Sequence, residues 1–372
     1  MRALVTDAHL RSTVHGIRAL GRARIETIAV AESWKAPGLW SRHTAGRAIV
    51  PPAASERFAE AVAEVAGRHG PLVVFPGREA ALDALAQRDW NLPSGCLLAS
   101  PGAEALDRVR SKPALADIAD RAGLRTPRTL LAGSAHQVRE ARLPVPFVVK
   151  PARPNQALGR AQIVTSPSQL ETLLDDLPDD ERILVQERVE GPLLALSIVV
   201  DRGGNIVARF QQVAARTFPP EAGVSALAVS VAPDETLTER VGAMLAEAGF
   251  WGMAQLQFLA GKGQPALIDI NPRFFGSLSL ALAAGVNLPA AWHAVARGAP
   301  AGHPTPYRLG VRYRWLEADI VVAARGGNAP LIETRRPVAG AWWSADDPLP
   351  AAMLTAEAFS ARIRRQVRRR MR

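Results

Sequence analysis

The stretch that most constrains this chain is Leu267-Ile268-Asp269-Ile270-Asn271-Pro272-Arg273, an apolar run of strand character with an acid, an amide and a guanidinium at alternate positions. Strand side chains alternate between faces, so residues 269, 271 and 273 are predicted to point one way and Ile268 and Ile270 toward a core. Pro272 ends the ladder because it has no backbone donor. The oxygens of Asp269 and Asn271 suit a hard cation, and the N–H fork of Arg273 beside them suits polyphosphate. The competing reading is a strand end with a polar outer face.

Gly252-Met253-Ala254-Gln255-Leu256-Gln257-Phe258-Leu259 reads as a second strand, and Gly261-Lys262-Gly263-Gln264 as the turn between the two. The pair is a β-hairpin in which Gln257 lies across from the Asp269/Asn271 face. One carboxylate and two amide oxygens fit Mg²⁺ (or Mn²⁺), which keeps waters and borrows phosphate oxygens. The pattern resembles the ATP-grasp superfamily, whose second metal strand reads as an acid, one residue, then Asn-Pro-Arg. Gln257 is similar to the carbamoyl-phosphate-synthase-like branch, many other members having Glu there. Asp269 departs from the usual Glu.

Only four lysines (35, 112, 150 and 262) stand among the 45 Lys and Arg, so each is informative. Phe147-Val148-Val149-Lys150-Pro151 resembles the superfamily strand whose Lys reaches nucleotide phosphates. Lys112 stands within a helical stretch expected from Pro101-Gly102 through Gly123, ahead of the Gly-Leu-Arg-Thr-Pro turn. A compact ammonium on a flexible stem serves phosphate as a point charge. The bland reading of Lys150 is a solvated strand-end cation. Residues 152–160 stand where the family has a Gly-rich phosphate loop; only Gly159 is retained, and Arg153 or Arg160 are candidates for the missing charge. Ile183-Leu184-Val185-Gln186-Glu187-Arg188-Val189-Glu190-Gly191 resembles the inter-lobe hinge. The resemblance implies that Gln186, Glu187 and Val189 bind nucleotide, with Glu187 reading adenine. Leu194 stands where relatives carry a ribose-binding acid, for which Glu190 is the substitute.

Upstream, strands at 3–6, 25–30 and 72–75 alternate with helices at 11–20 and 55–68, a βαβ rhythm that predicts a parallel sheet. The turn Asp7-Ala8-His9-Leu10-Arg11 lacks the glycines of a dinucleotide fingerprint. Ligands of such sheets bind beyond the carboxyl ends of strands, which nominates Asp7, Arg11 and Pro76-Gly77-Arg78 as substrate-side residues. Ordinary loop residues are the competing reading. Downstream, strands at 193–200 and 205–212 flank the turn Asp201-Arg202-Gly203-Gly204. The polar loop 216–225 borders the acceptor pocket in the resembling enzymes, so Arg216 and Ser225 are candidates for a substrate carboxylate. A helix is predicted over 274–284.

The expected fold class is α/β: an ATP-grasp fold of two α+β lobes clasping ATP, preceded by a Rossmann-like parallel-sheet domain. The expected units are 1–104, a small lobe with linker helices at 105–190, a large lobe with the metal site at 191–300, and a C-terminal extension at 301–372. Three prolines at 300–306 mark the last boundary. Seven Arg and no acid fall between 360 and 372, so of the net charge of +10 only +3 lies on the rest of the chain. A body so near neutrality argues against a nucleic-acid-binding domain. Phe359, Ile363, Val367 and Met371 form an apolar stripe on this basic tail. It suits either anionic lipid or packing on the body with a solvated Arg face. A single cysteine, Cys96, and an early acid at Asp7 lead to the expectation of a cytoplasmic protein without a signal peptide. The seven histidines lack ligand spacing, and no Walker A or nucleophile-elbow motif occurs.

The resemblance implies a ligase in which ATP phosphorylates a small-molecule carboxylate and an amine attacks the acylphosphate. Lys150 and Arg273 are then the catalytic residues and Lys112 a further phosphate ligand. Two rivals remain at this point: an ATP-grasp module that binds nucleotide without turnover, and a scaffold acting through the basic tail.

Overall fold

A computed structural model describes residues 1–86, 92–152, 157–159, 161–220, 223–261, 263–299, 302–326 and 338–354. Arg153, Arg160, Lys262 and the basic tail with its apolar stripe lie outside the described residues.

Strands β1 (Arg2–Val5), β2 (Thr27–Ala31), β3 (Thr44–Ile49), β4 (Leu72–Phe75) and β5 (Leu97–Leu98) form a parallel sheet in the order β3-β2-β1-β4-β5. β1, β2 and β4 are short apolar runs buried on both faces, as parallel strands under helices must be. Helices Arg11–Arg22, Phe58–His69 and Glu79–Ala86 make the intervening connections. β3 carries Gly46 and Arg47 in a half-exposed edge strand, so no apolar run announced it.

The predicted helix over 101–123 is two helices, Ala103–Arg110 and Lys112–Arg121, separated at an extended Ser111 with ψ 115°. Pro113 sits in the first turn of the second, where its missing N–H leaves no helical bond unmade. The break puts Lys112 at a helix start. β6 (Thr129–Ser134), β7 (Phe147–Pro151), β8 (Gln162–Val164) and β9 (Arg182–Glu187) then form a four-stranded antiparallel sheet, ordered β6-β9-β7-β8. Helices Ala135–Glu140 and Pro167–Asp175, capped by Ser134 and Ser166, pack on it with Val138 and Leu174 in one core with Phe147, Val149 and Val185 of the strands.

The third sheet has seven strands. β10 (Leu193–Val200), β11 (Ile206–Phe218), β12 (Val224–Ser230), β13 (Gly252–Leu259), β14 (Ala266–Asn271), β15 (Arg312–Arg314) and β16 (Val338–Gly340) are arranged β14-β13-β10-β11-β12-β15-β16. Helix Glu235–Glu247 packs in the core formed with Leu196, Ile198 and Leu256. Helices Leu278–Ala284 and Leu288–Ala296 belong to another core that runs into the parallel sheet, where Phe75 meets Trp292 edge-on at 4.9 Å and Phe274 at 5.8 Å. The helix predicted from 274 begins only at Leu278, because Phe274 and Phe275 are drawn into this aromatic core. Among the described residues no single helix is long and apolar enough to cross a membrane. The two helices just named pass that test together, but they are bent by 100° at their junction.

Among the described residues beyond 300, β15 and β16 belong to the large-lobe sheet. β15 pairs with β12 and β16 with β15, so the large-lobe sheet continues through them. Asp347 is 1 % exposed and receives Arg18 Nε at 2.8 Å, Ser41 Oγ at 2.8 Å and the Arg42 N–H at 2.8 Å. These bonds fasten the C-terminal segment to the parallel-sheet unit. Removing one partner of such a pair strands the other charge in the interior. Asp347→Ala is therefore expected to lower stability by about 3–5 kcal/mol in urea unfolding; a loss below about 1 kcal/mol would reduce the pair to a surface-like contact.

Candidate functional site

The two lobes face each other across a cavity of about 760 Å³. β7 and β9 supply one wall with Val148, Lys150 and Gln186, and β13 and β14 supply another with Gln257, Asp269 and Asn271. Gln257 is the register partner of Asp269, and Gln255 of Asn271.

β14 does not alternate simply. The register steps from Gln257↔Asp269 to Phe258↔Leu267, leaving Ile268 as the extra residue of a β-bulge. Leu267 and Ile270 are buried, while Ile268 is half-buried on the cavity wall, so the sequence expectation that Ile268 enters the core is corrected. The bulge turns the Ile268 carbonyl toward Lys150, whose Nζ donates to it at 3.2 Å.

Lys150 is 8 % exposed rather than solvated. Burial, with help from the Lys112 charge and against that of Asp269, lowers its pKa from 10.5 to about 8. Lys112 forms an ion pair with Asp269 Oδ1, and Asn271 Nδ2 donates to Asp269 Oδ2 at 3.2 Å. Burial alone would push the Asp269 carboxyl up, but Lys112, Lys150 and Arg273 outweigh it and hold the group below the usual carboxylate range. Arg273 donates through Nη2 to Asn271 Oδ1 at 2.8 Å and through Nε to Glu79 Oε1 at 3.0 Å. Arg110 Nε lies 2.9 Å from the other Glu79 oxygen. Glu79 also lines the cavity. It was missed in the sequence, although it directly follows the nominated Pro76-Gly77-Arg78.

The remaining candidates separate. Glu187, Val189 and Gly159 line the cavity, Gly159 with φ +69°. The buried Gln186 donates to the Pro127 carbonyl at 3.3 Å. Glu187 receives Arg125 Nη2 at 3.2 Å, and its N–H donates to the Arg128 carbonyl at 2.9 Å. Glu190 is exposed, pairs with Arg188 at 3.3 Å and does not line the cavity. Leu194 is buried in the apolar core. Arg216 lines the cavity; Ser225 does not, its Oγ lying 3.4 Å from the Gln212 amide nitrogen.

Asp7 and Arg11 also lie outside the cavity wall. Asp7 adopts φ 56°, receives Thr6 Oγ1 at 2.5 Å and meets Arg78 Nε at 2.8 Å. Burial raises its pKa despite these partners. It is a turn-forming residue, not a free substrate-side acid. Arg11 stacks on Trp315, 3.8 Å from the ring centroid, and a Cβ at Gly276 would stand 2.5 Å from its Nη2. Glycine is required there for the guanidinium to approach.

The cavity wall carries six cations, Arg110, Lys112, Lys150, Arg188, Arg216 and Arg273, against the acids Glu79, Glu187 and Asp269. Such a field suits an anionic ligand. Because the folded-state pKa of Lys150, about 8, lies below its ordinary 10.5, the unfolded chain binds the extra proton between those values. The buried ammonium thus costs stability in full below pH 8, and the cost fades as pH rises toward 10.5. Lys150→Met is expected to stabilise the ligand-free fold at pH 7 by about 2–3 kcal/mol, with a smaller gain at pH 9.5. Urea unfolding at the two pH values checks this; destabilisation at pH 7 would refute it.

Residues 179–319 match the family model described as ATP-grasp in the biosynthetic pathway with Ter operon. No curated protein matches the sequence. Among solved structures, the biotin carboxylase domain of Hydrogenobacter thermophilus 2-oxoglutarate carboxylase, in complex with MgADP, ADP and bicarbonate, superposes with TM-score 0.63 at 16 % identity, over 84 % of this chain and 73 % of that one. N5-carboxyaminoimidazole synthetase from Staphylococcus aureus gives 0.62 at 12 % identity, over 84 % and 80 %. L-amino acid ligase from Bacillus licheniformis gives 0.59 at 17 % identity, over 80 % and 74 %. At such identities the likeness concerns the fold. The chain has the ATP-grasp fold, and its residues 179–319 match an ATP-grasp family.

Proposed function

We propose that this chain is an ATP-dependent ligase that activates a carboxylate as its acylphosphate and joins it to an amine, releasing ADP and phosphate. The observation that carries the reading is the facing of the buried Lys150 ammonium with the Gln257, Asp269 and Asn271 oxygens across one cavity. Among the described residues no group of three or more His, Cys, Asp or Glu gathers as a metal site. The donors present are nonetheless hard oxygens, one carboxylate and two amides, and they fit Mg²⁺ that takes its remaining ligands from phosphate and water. When bound, the ion would spread the charge of the transferring phosphoryl group.

The protein's own part is positioning and electrostatics. Lys150 and Lys112 are the candidates to hold the phosphates. Arg273, steered by Glu79 and Asn271, is placed to stabilise an oxyanion as the acyl carbon is attacked. Glu187 and Val189 border the expected adenine end of the cavity. A site closed around its ligands would exclude water and so protect an acylphosphate. A second reading, nucleotide binding without turnover, is favoured by one feature: the single carboxylate of the cation set is engaged by Lys112.

The two readings part on one assay. ATP, Mg²⁺ and hydroxylamine incubated with a panel of acids should give a hydroxamate with one acid class, and labelled oxygen from that carboxylate should enter phosphate. Asp269→Ala should abolish this turnover, and Gln257→Glu should retain it, since either side chain offers an oxygen. Release of pyrophosphate would exclude acylphosphate chemistry. MgADP binding with no acid-dependent ADP release would establish the second reading. Nucleotide affinity should also fall as pH rises through about 8, where Lys150 loses its proton; a flat profile in calorimetry would remove Lys150 from phosphate binding.

A further inference from the structure

At one side of the cavity, away from the β14 residues, stands an ion cluster that contains Arg216, nominated from the sequence for a substrate carboxylate. Arg216 on β11 lines the cavity and turns its Nε and Nη2 to Asp319, at 2.5 and 3.2 Å. Asp319 belongs to helix Leu316–Gly326, is fully buried, and also receives Arg314 Nε at 2.6 Å. Val322, one helical turn beyond Asp319, lines the cavity as well. The side-chain exposures are 24 % for Arg216, 15 % for Arg314 and 0 % for Asp319.

Two guanidinium groups on one carboxylate leave the cluster with a net positive charge. A side-on pairing through Nε and Nη2 fixes the plane of Arg216 and leaves its Nη1 edge unused, and among the described residues no protein acceptor takes Nη1. A planar guanidinium held at one edge is preorganised to receive an anion at the other. If Asp319 served only to fasten the helix, Arg314 alone would pair with it at lower desolvation cost. Arg216 would then be free to face bulk water.

We propose that Asp319 is a positioning residue that aims Arg216 into the cavity, and that Arg216 takes a second anionic group on the acceptor acid. The substrate class is then an acid with a non-reacting carboxylate, such as a dicarboxylic acid or an acidic amino acid, rather than a simple monocarboxylate. This rests on the ligase reading for the reacting end of the acid, but the binding it asserts can be measured without turnover.

The experiment uses the full chain saturated with MgADP, titrated in a calorimeter with succinate, glutarate, aspartate and glutamate, and with acetate and butyrate as monocarboxylate controls. At least one of these four dicarboxylates should bind while the monocarboxylates do not. Arg216→Gln should abolish that binding, Arg216→Lys should retain part of it, and Asp319→Asn should weaken it about tenfold, the loss of one charge-assisted contact. All three variants should still bind MgADP, which also reports that they fold, and its affinity should be unchanged in Asp319→Asn. In the hydroxamate assay the Asp319→Asn effect should appear in KM for the acid with kcat within about twofold. Absence of dianion binding in the parent protein, binding that survives Arg216→Gln, or weakened MgADP binding in Asp319→Asn would overturn the proposal. A parent that binds the acid but forms no hydroxamate would sink the ligase reading alone.

Discussion

A hydrogen bond from the buried Lys150 ammonium to the Ile268 carbonyl, at 3.2 Å, crosses the lobes at the cavity wall. That carbonyl is available only because a bulge takes Ile268 out of the regular ladder between β13 and β14. A desolvated lysine is unstable by itself, and its lowered pKa reports that cost. The fold tolerates it because Asp269 lies near and a carbonyl receives it. In the proposed role a cation kept out of water would act on phosphate far more strongly than a solvated one.

Around that bond the charged groups form a chain that crosses units of the fold. Lys112, at the start of its helix, engages Asp269; Asn271 links Asp269 to Arg273; and Glu79 of the parallel-sheet unit holds Arg273 and Arg110. Of the oxygens proposed to take a divalent cation, those of Asp269 and Asn271 are therefore already engaged by protein donors. A nucleotide that drew Lys112 onto its phosphates would release Asp269 for the ion, so ion and nucleotide would enter together. The parallel-sheet unit contributes to the site through Glu79, not through the turn after its first strand.

Besides the pairing of β15 with β12, two buried carboxylates bind the C-terminal segment into the body. Asp347 fastens it to Arg18, and Asp319 draws helix Leu316–Gly326 against β11. The second contact brings Val322 to the cavity wall. Loops and appended segments set substrate choice on a shared scaffold. On the proposed reading, this segment is where the chain would set its own.

The sequence by itself determined what depends on near neighbours. The period-two pattern of 252–273 specified the hairpin and brought Gln257 opposite Asp269, and the short apolar runs near 3, 28 and 73 specified a parallel sheet. The scarcity of lysine picked out Lys150 and Lys112. Only the tertiary structure decided that Lys150 is buried, that Ile268 leaves the core, and that Asp7 closes a turn. It alone brought Glu79 to Arg273, 194 residues away, and Asp319 to Arg216, 103 residues away. Periodicity reports which face a side chain takes within its own element. It carries no information on which distant charge will meet that face, because such pairs are chosen by the packing of sheets and helices against one another.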